Sequence, residues 1–218
     1  MYDLSTVLDF EALQEVRPGS SILLSGPAMT GKEQLAYDIL ADGARDGEGA
    51  VVVTTSDKAA SVTDEFRDRV PDLEGSQLGV VDCRGEGGSE QGVIDGVSVN
   101  QVSSPGDLTG IGIGITKALE GLHNAGRTEG RLALISLSTM LTYTDKKTVF
   151  KFCHVLSSRL DAADYIGVFT IDSGAHDKQT IQVIKQAFDG LIEVRDAEGG
   201  RQARVLGLAN EPTDWKPL

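Results

Sequence analysis

Residues 21–33 read SILLSGPAMTGKE, an apolar run that passes directly into a glycine-flanked turn and then a helical pattern. This stretch restricts the possible folds more than any other. In the loop signature G-x-x-x-x-G-K-[ST], glycines let the backbone curl until successive N–H groups point inward at phosphate oxygens. The helix that follows adds the partial positive charge of its N-terminus. Gly26, Pro27, Ala28, Met29, Thr30 and Gly31 would form that nest, and Lys32 would bring a point charge to the β and γ phosphates. The next position is ordinarily Ser or Thr, whose hydroxyl ligates magnesium; here it is Glu33.

A carboxylate at position 33 could ligate a hard cation, but it is longer than a hydroxyl and sets negative charge beside a triphosphate. Two arrangements are open. Glu33 either forms an ion pair with Lys32 and fills the pocket, or turns to solvent and leaves the nest open. At an effective dielectric near 20, a unit charge about 4 Å away is worth on the order of 4 kcal/mol before desolvation, enough to decide between bound and empty. The bland alternative is a strand-to-helix turn that binds nothing. The flanks weigh against it, since 21–25 reads as a buried strand and 34–44 as an amphipathic helix.

The rest of the chain alternates in the same manner. Apolar runs at 50–55, 78–82, 131–137 and 165–171 read as strands, with 21–25, 50–55, 131–137 and 165–171 central in a mainly parallel sheet. Helices are expected over 5–15, from a Ser56-Asp57 cap to Val70, from Asp107 to Ala125, over 145–160 and over 177–187. Residues 84–96 read as a polar, glycine-rich loop and 97–102 as a short strand beyond it. The G-I-G-I-G run at 110–114 lies inside helical periodicity and not directly after a strand, so it indicates close helix packing and not a dinucleotide loop. Residues 190–195 and 201–206 form a terminal hairpin, and Trp215, the chain's only tryptophan, is expected to anchor the tail.

A chain of 218 residues is long enough for one sizeable α/β domain, so one domain is expected over 1–218, with 1–18 as a lead-in and 209–218 as a tail. Lys plus Arg total 20 against 33 for Asp plus Glu, a net charge of −13. Such a surface repels nucleic-acid phosphates and anionic lipid, so neither nucleic acid nor membrane is an expected partner. The same acidic, lysine-poor balance resembles that of proteins from salt-loving organisms. Cys83 and Cys153 have no metal-ligand or disulfide spacing, and reduced thiols are expected. The N-terminus lacks a basic, then apolar, leader pattern, and no run approaches about 18 apolar residues, so a cytoplasmic location is expected.

The order of the elements, the loop at 26–33, I-S-L-S at 135–138 and F-D-G at 188–190 together resemble the RecA-like ATPases, specifically the archaeal relatives of the clock protein KaiC. The similarity covers essentially the whole chain and fits a divergent haloarchaeal branch of short, single-domain members. It implies an α/β, RecA-like P-loop NTPase fold with helices on both faces of a mainly parallel twisted sheet and a C-terminal antiparallel hairpin.

The resemblance also implies catalytic residues, and most have no counterpart. A glutamate pair that activates water would fall at 55–57, where only Asp57 is acidic, and an Asp there is more often a helix cap. The Walker B aspartate would fall at Ile135 or Ser136, and the final-strand Lys/Arg pair near 206–208, where neither basic residue occurs. Phosphoryl transfer depends on positioning and electrostatic stabilisation by these parts. Efficient hydrolysis is therefore not expected. The expectation is a regulatory or scaffolding pseudo-ATPase that associates with a protein partner or itself, and binds ATP or ADP weakly without magnesium. The rival expectation is an active ATPase with Glu33 and Asp57 as rearranged metal ligands.

Overall fold

The computed structural model describes residues 1–85, 91–209 and 211–218. Its strands are β1 Ser21–Gly26, β2 Gly49–Thr54, β3 Leu78–Asp82, β4 Gln91–Ile94, β5 Val97–Gln101, β6 Gly130–Ile135, β7 Ile166–Asp172, β8 Gly190–Ala197, β9 Gly200–Leu206 and β10 Lys216–Pro217. Its α-helices are α1 Lys32–Arg45, α2 Ala59–Arg69, α3 Leu108–Asn124, α4 Leu137–Tyr143, α5 Lys146–Ala162 and α6 Lys178–Lys185. All the described strands join one sheet in the order β10-β9-β8-β1-β7-β6-β2-β3-β5-β4. Neighbours from β8 through to β5 run parallel, and the outer pairs β4–β5, β8–β9 and β9–β10 are antiparallel. This is the RecA-like α/β architecture, with the four expected central strands all inside the sheet.

Alternate residues of each central strand feed opposite faces, as pleating requires. Ile22, Leu24, Val52 and Ala133 pack with α1 and α2, while Leu23, Val51, Val53, Leu132 and Leu134 pack with α3, α4, α5 and α6. Gly114 of α3 lies so close to β3 that a Cβ would meet Val81 at 2.9 Å, which accounts for the last glycine of the 110–114 run. Cys83 and Cys153 are free and buried, and burial pushes both thiols up to about 12, so they remain protonated packing groups.

Several expectations need correction. Residues 5–15 do not form an α-helix: the lead-in folds back on itself, with Tyr2 bridged to Val16 and a single 3-10 turn at Glu11–Leu13. Its apolar side chains Tyr2, Leu4, Leu8, Phe10, Leu13 and Val16 are all buried, so burial of a folded loop takes the place of a helical stripe. The strand expected over 131–137 ends at Ile135, because Ser136 accepts a hydrogen bond from Thr139 N–H and caps α4, which starts at Leu137. Part of the loop expected over 84–96 is strand β4, while 86–90 lie outside the described residues. In the tail, Asn210 likewise lies outside them. Trp215 packs under Arg195 and Arg204, with their guanidinium carbons 3.9 and 4.8 Å from its ring centre, and β10 pairs with β9. It anchors the tail, as expected. No helix among the described residues is long and apolar enough to cross a membrane.

Arg131 is the second residue of β6 and is only 2% exposed, although the strand pattern treats it as a boundary residue. Its guanidinium makes paired bonds to Glu48 at 2.8 and 3.0 Å and donates to the Ile39 carbonyl at 2.7 Å and to Asp42 at 3.2 Å. It thereby joins the sheet to α1 and to the turn after it. Arg131→Met would leave two carboxylates facing an apolar side chain. It is expected to cost about 3 kcal/mol, the low end for a broken buried pair because Glu48 and Asp42 keep some solvent access. Urea unfolding of the variant checks this.

Candidate phosphate-binding loop

Parallel strands deliver all their C-terminal ends to one rim of the sheet, and the loop leaves from the middle of that rim. Gly26 closes β1 opposite Asp172 of β7, and the Ser173 N–H donates to the Gly26 carbonyl at 2.9 Å. A side chain at Gly26 would strike the Val194 carbonyl at 2.7 Å and Thr30 Oγ1 at 2.9 Å, so the loop can turn here only without one. Met29 and Gly31 both have positive φ, 62° and 77°, which fits Gly31 and places Met29, at 96% exposure, on the outside of the turn. Gly31 is the N-cap of α1 and gives no side-chain cap, so the first N–H groups of the helix are not closed off by one.

The loop is held shut at its base. Thr30 Oγ1 and Lys32 Nζ both donate to the Pro27 carbonyl, at 2.9 and 3.0 Å. Lys32 is 2% exposed, and its Nζ lies 3.1 Å from Glu33 Oε1, while Glu33 remains 32% exposed. Of the two arrangements open for Glu33, the structure has the ion pair. The Lys32 charge is thus offset by its neighbour in sequence, and its ammonium faces a loop carbonyl.

Along the rim, the position expected for a Walker B aspartate is taken by a hydroxyl network. The Thr55 hydroxyl donates to the Ile135 carbonyl and accepts from Ser136 N–H, both at 3.0 Å. The Ser136 hydroxyl is itself committed to capping α4. Asp57 is exposed; its N–H donates to the Thr54 hydroxyl, which donates in turn to the Asp57 carbonyl. It caps nothing, which corrects the expected cap: α2 starts after Lys58, and the Ala59 N–H is accepted by Asp82 Oδ2 at 3.1 Å. Asp82 comes from the neighbouring strand, paired with Thr54, so the cap is non-local. Glu193 lies opposite Ser25, but it is tied to Lys185 and Arg204 at 2.9 and 2.6 Å. Burial raises its pKa, and those bonds outweigh burial and hold it below the usual carboxylate range.

The structure also brings in groups that no sequence motif marks. Ser138, just past the end of β6, accepts from Asp172 N–H and bonds His176 Nε2, each at 2.9 Å. Asp172 Oδ1 is occupied by the Gly174 N–H. From the far hairpin, Arg201 places Nη1 3.4 Å from the Thr30 carbonyl. The positions 206–208 hold no basic residue, and Arg201 lies at the other end of the same strand. Its signal was only a lone arginine beside a glycine turn. Glu33 holds Lys32, Ser136 caps a helix, and among the described residues no three His, Cys, Asp or Glu side chains cluster for a metal. The loop N–H groups, in contrast, suit an anion.

The sheet order and a strand–loop–helix crossing at its centre define a RecA-like fold. The KaiC-like protein PH0186 from the hyperthermophilic archaeon Pyrococcus horikoshii OT3 shares it: the structures align with a TM-score of 0.63 and 15% identity, over 93% of this chain and 82% of that one. At that identity the likeness is one of fold. Residues 19–194 match the family described as a family of unknown function (DUF7504), and the chain belongs to it. No curated protein matches the sequence.

Thr55→Val removes the hydroxyl that serves both sides of the 135–136 peptide. It is expected to cost about 1–3 kcal/mol by leaving Ser136 N–H unpaired, while the Ile135 carbonyl keeps its bond from the Thr55 N–H at 2.8 Å. Thr55→Ser should retain most of the stability in the same denaturation measurement.

Proposed function

We propose that this chain is a RecA/KaiC-like pseudo-ATPase: a cytoplasmic regulatory or scaffolding protein that works through contacts with a protein partner or with itself. Its degenerate loop binds phosphate-bearing anions weakly, and the acidic, lysine-poor composition fits the salt-rich cytoplasm of a halophilic archaeon. The observation that carries the reading is the Lys32–Glu33 pair at 3.1 Å, with Lys32 also on the Pro27 carbonyl. A triphosphate with its metal would have to displace that pair and would meet the Glu33 carboxylate. The rim offers no carboxylate at Ser136 to hold a metal through water. The rival reading, an ATPase using Glu33 and Asp57 as metal ligands, needs Glu33 released from Lys32, whereas the exposed Asp57 side chain needs no such release.

Two measurements test the proposal. Magnesium is expected not to raise phosphate release from ATP or GTP above the buffer blank. Turnover at an ordinary enzymatic rate that Lys32→Ala abolishes would establish the rival. In calorimetry, wild type is expected to prefer ADP or inorganic diphosphate to Mg-ATP, and Glu33→Ser to bind at least about tenfold more tightly by freeing Lys32. Equal, tight Mg-ATP affinity in both proteins would overturn the role given to the glutamate.

A further inference from the structure

We propose that Arg201, and not Lys32, is the principal side-chain cation with which this chain holds a diphosphate group at its loop, an inference that rests on the anion binding proposed above. Arg201 lies on β9, just after the glycine turn of the β8–β9 hairpin, and reaches back over the loop. The approach is close: a Cβ built on Gly31 would lie 1.9 Å from Arg201 Nη1. The guanidinium therefore sits against Gly31, the N-cap residue of α1, on the side of the Thr30 carbonyl.

The charge balance then assigns the roles. Lys32 and Glu33 sum to zero at a separation of 3.1 Å. The other arginines of the hairpin are occupied, since Arg204 pairs with Glu193 and both Arg195 and Arg204 stack on Trp215. Arg201 makes no ion pair with any carboxylate among the described residues, and its bond to the Thr30 carbonyl is long, at 3.4 Å. A guanidinium set beside the positive end of a helix is a like-sign arrangement, and an anion placed between them turns both contacts favourable. A planar fork suits two adjacent phosphoryl groups, whether free or carried by a nucleoside. Because Arg201 approaches from the hairpin, its charge does not depend on the Lys32–Glu33 pair being broken.

Calorimetry at one fixed, low ionic strength, with inorganic pyrophosphate and ADP as separate probes and no magnesium, tests the assignment. Both probes are expected to bind wild type, and Arg201→Ala to weaken both by at least about tenfold, as for loss of a charged hydrogen-bond donor. Arg201→Lys should recover part of the affinity, and Lys32→Ala should lose less than Arg201→Ala does. Tighter ADP than pyrophosphate in wild type would identify a nucleoside as the carrier and equal values the free anion; the Arg201 loss must appear with both. If wild type binds and Arg201→Ala binds equally or more tightly, Arg201 is a bystander or a plug, and this inference fails while the anion-binding reading stands. If only Arg201→Ala binds, the plug is established. If neither probe binds wild type, Arg201→Ala or Glu33→Ser, the anion-binding reading fails and takes the inference with it. Circular dichroism of each variant confirms folding, which substitution at the exposed Arg201 is expected to leave intact.

Discussion

Parallel strands buried on both faces impose the plan of this molecule. Such strands cannot be joined by tight turns, so the connections between the central ones cross over through helices, with β3 to β5 passing instead through β4, and the parallel strands all leave the sheet at the same rim. Here that rim collects Gly26, Thr54, Ile135 and Asp172 from four adjacent strands, β1, β2, β6 and β7. The side chains just beyond those ends decide what the rim can do. In this chain most of them serve structure: Thr55 joins the ends of β2 and β6, Ser136 caps α4, and Ser138 fastens the end of β7.

The electrostatics of the loop follow from where its charges are anchored. Lys32 is fixed on α1, with Glu33 beside it on the same helix, so the two move together and their mutual neutralisation is local. Arg201 belongs to a hairpin that the tail holds in place through Trp215 and β10, and its position relative to α1 is set by the sheet. Two cations at one loop thus have different origins, one intrinsic to the helix and one delivered by tertiary structure.

The fold was largely legible because its signals are local. Buried parallel strands are apolar on successive residues, and helix starts such as Asp107, Asp145 and Asp177 each accept a hydrogen bond from a backbone N–H two or three residues on. What escaped was settled by distant partners. The lead-in lost its helix to burial against the sheet, α2 took its cap from Asp82 of the next strand, and Arg131 was drawn inside by Glu48 and Asp42. At the loop the identity of every residue was legible, and so were the two choices open to Glu33. The choice between them depended on geometry. Arg201 was illegible because its distance to Thr30 is a property of the hairpin's reach over the sheet, and no motif spaced 171 residues apart encodes it.

The adjacency of Lys32 and Glu33 also has a kinetic reading. A carboxylate attached one residue from the ammonium behaves as a tethered ligand, and short tethers correspond to effective concentrations in about the millimolar range or above. A free phosphate anion competing for Lys32 meets a rival that never diffuses away. Selection against anions at this lysine is therefore continuous and does not depend on the protein's concentration, its assembly state or the occupancy of any other surface.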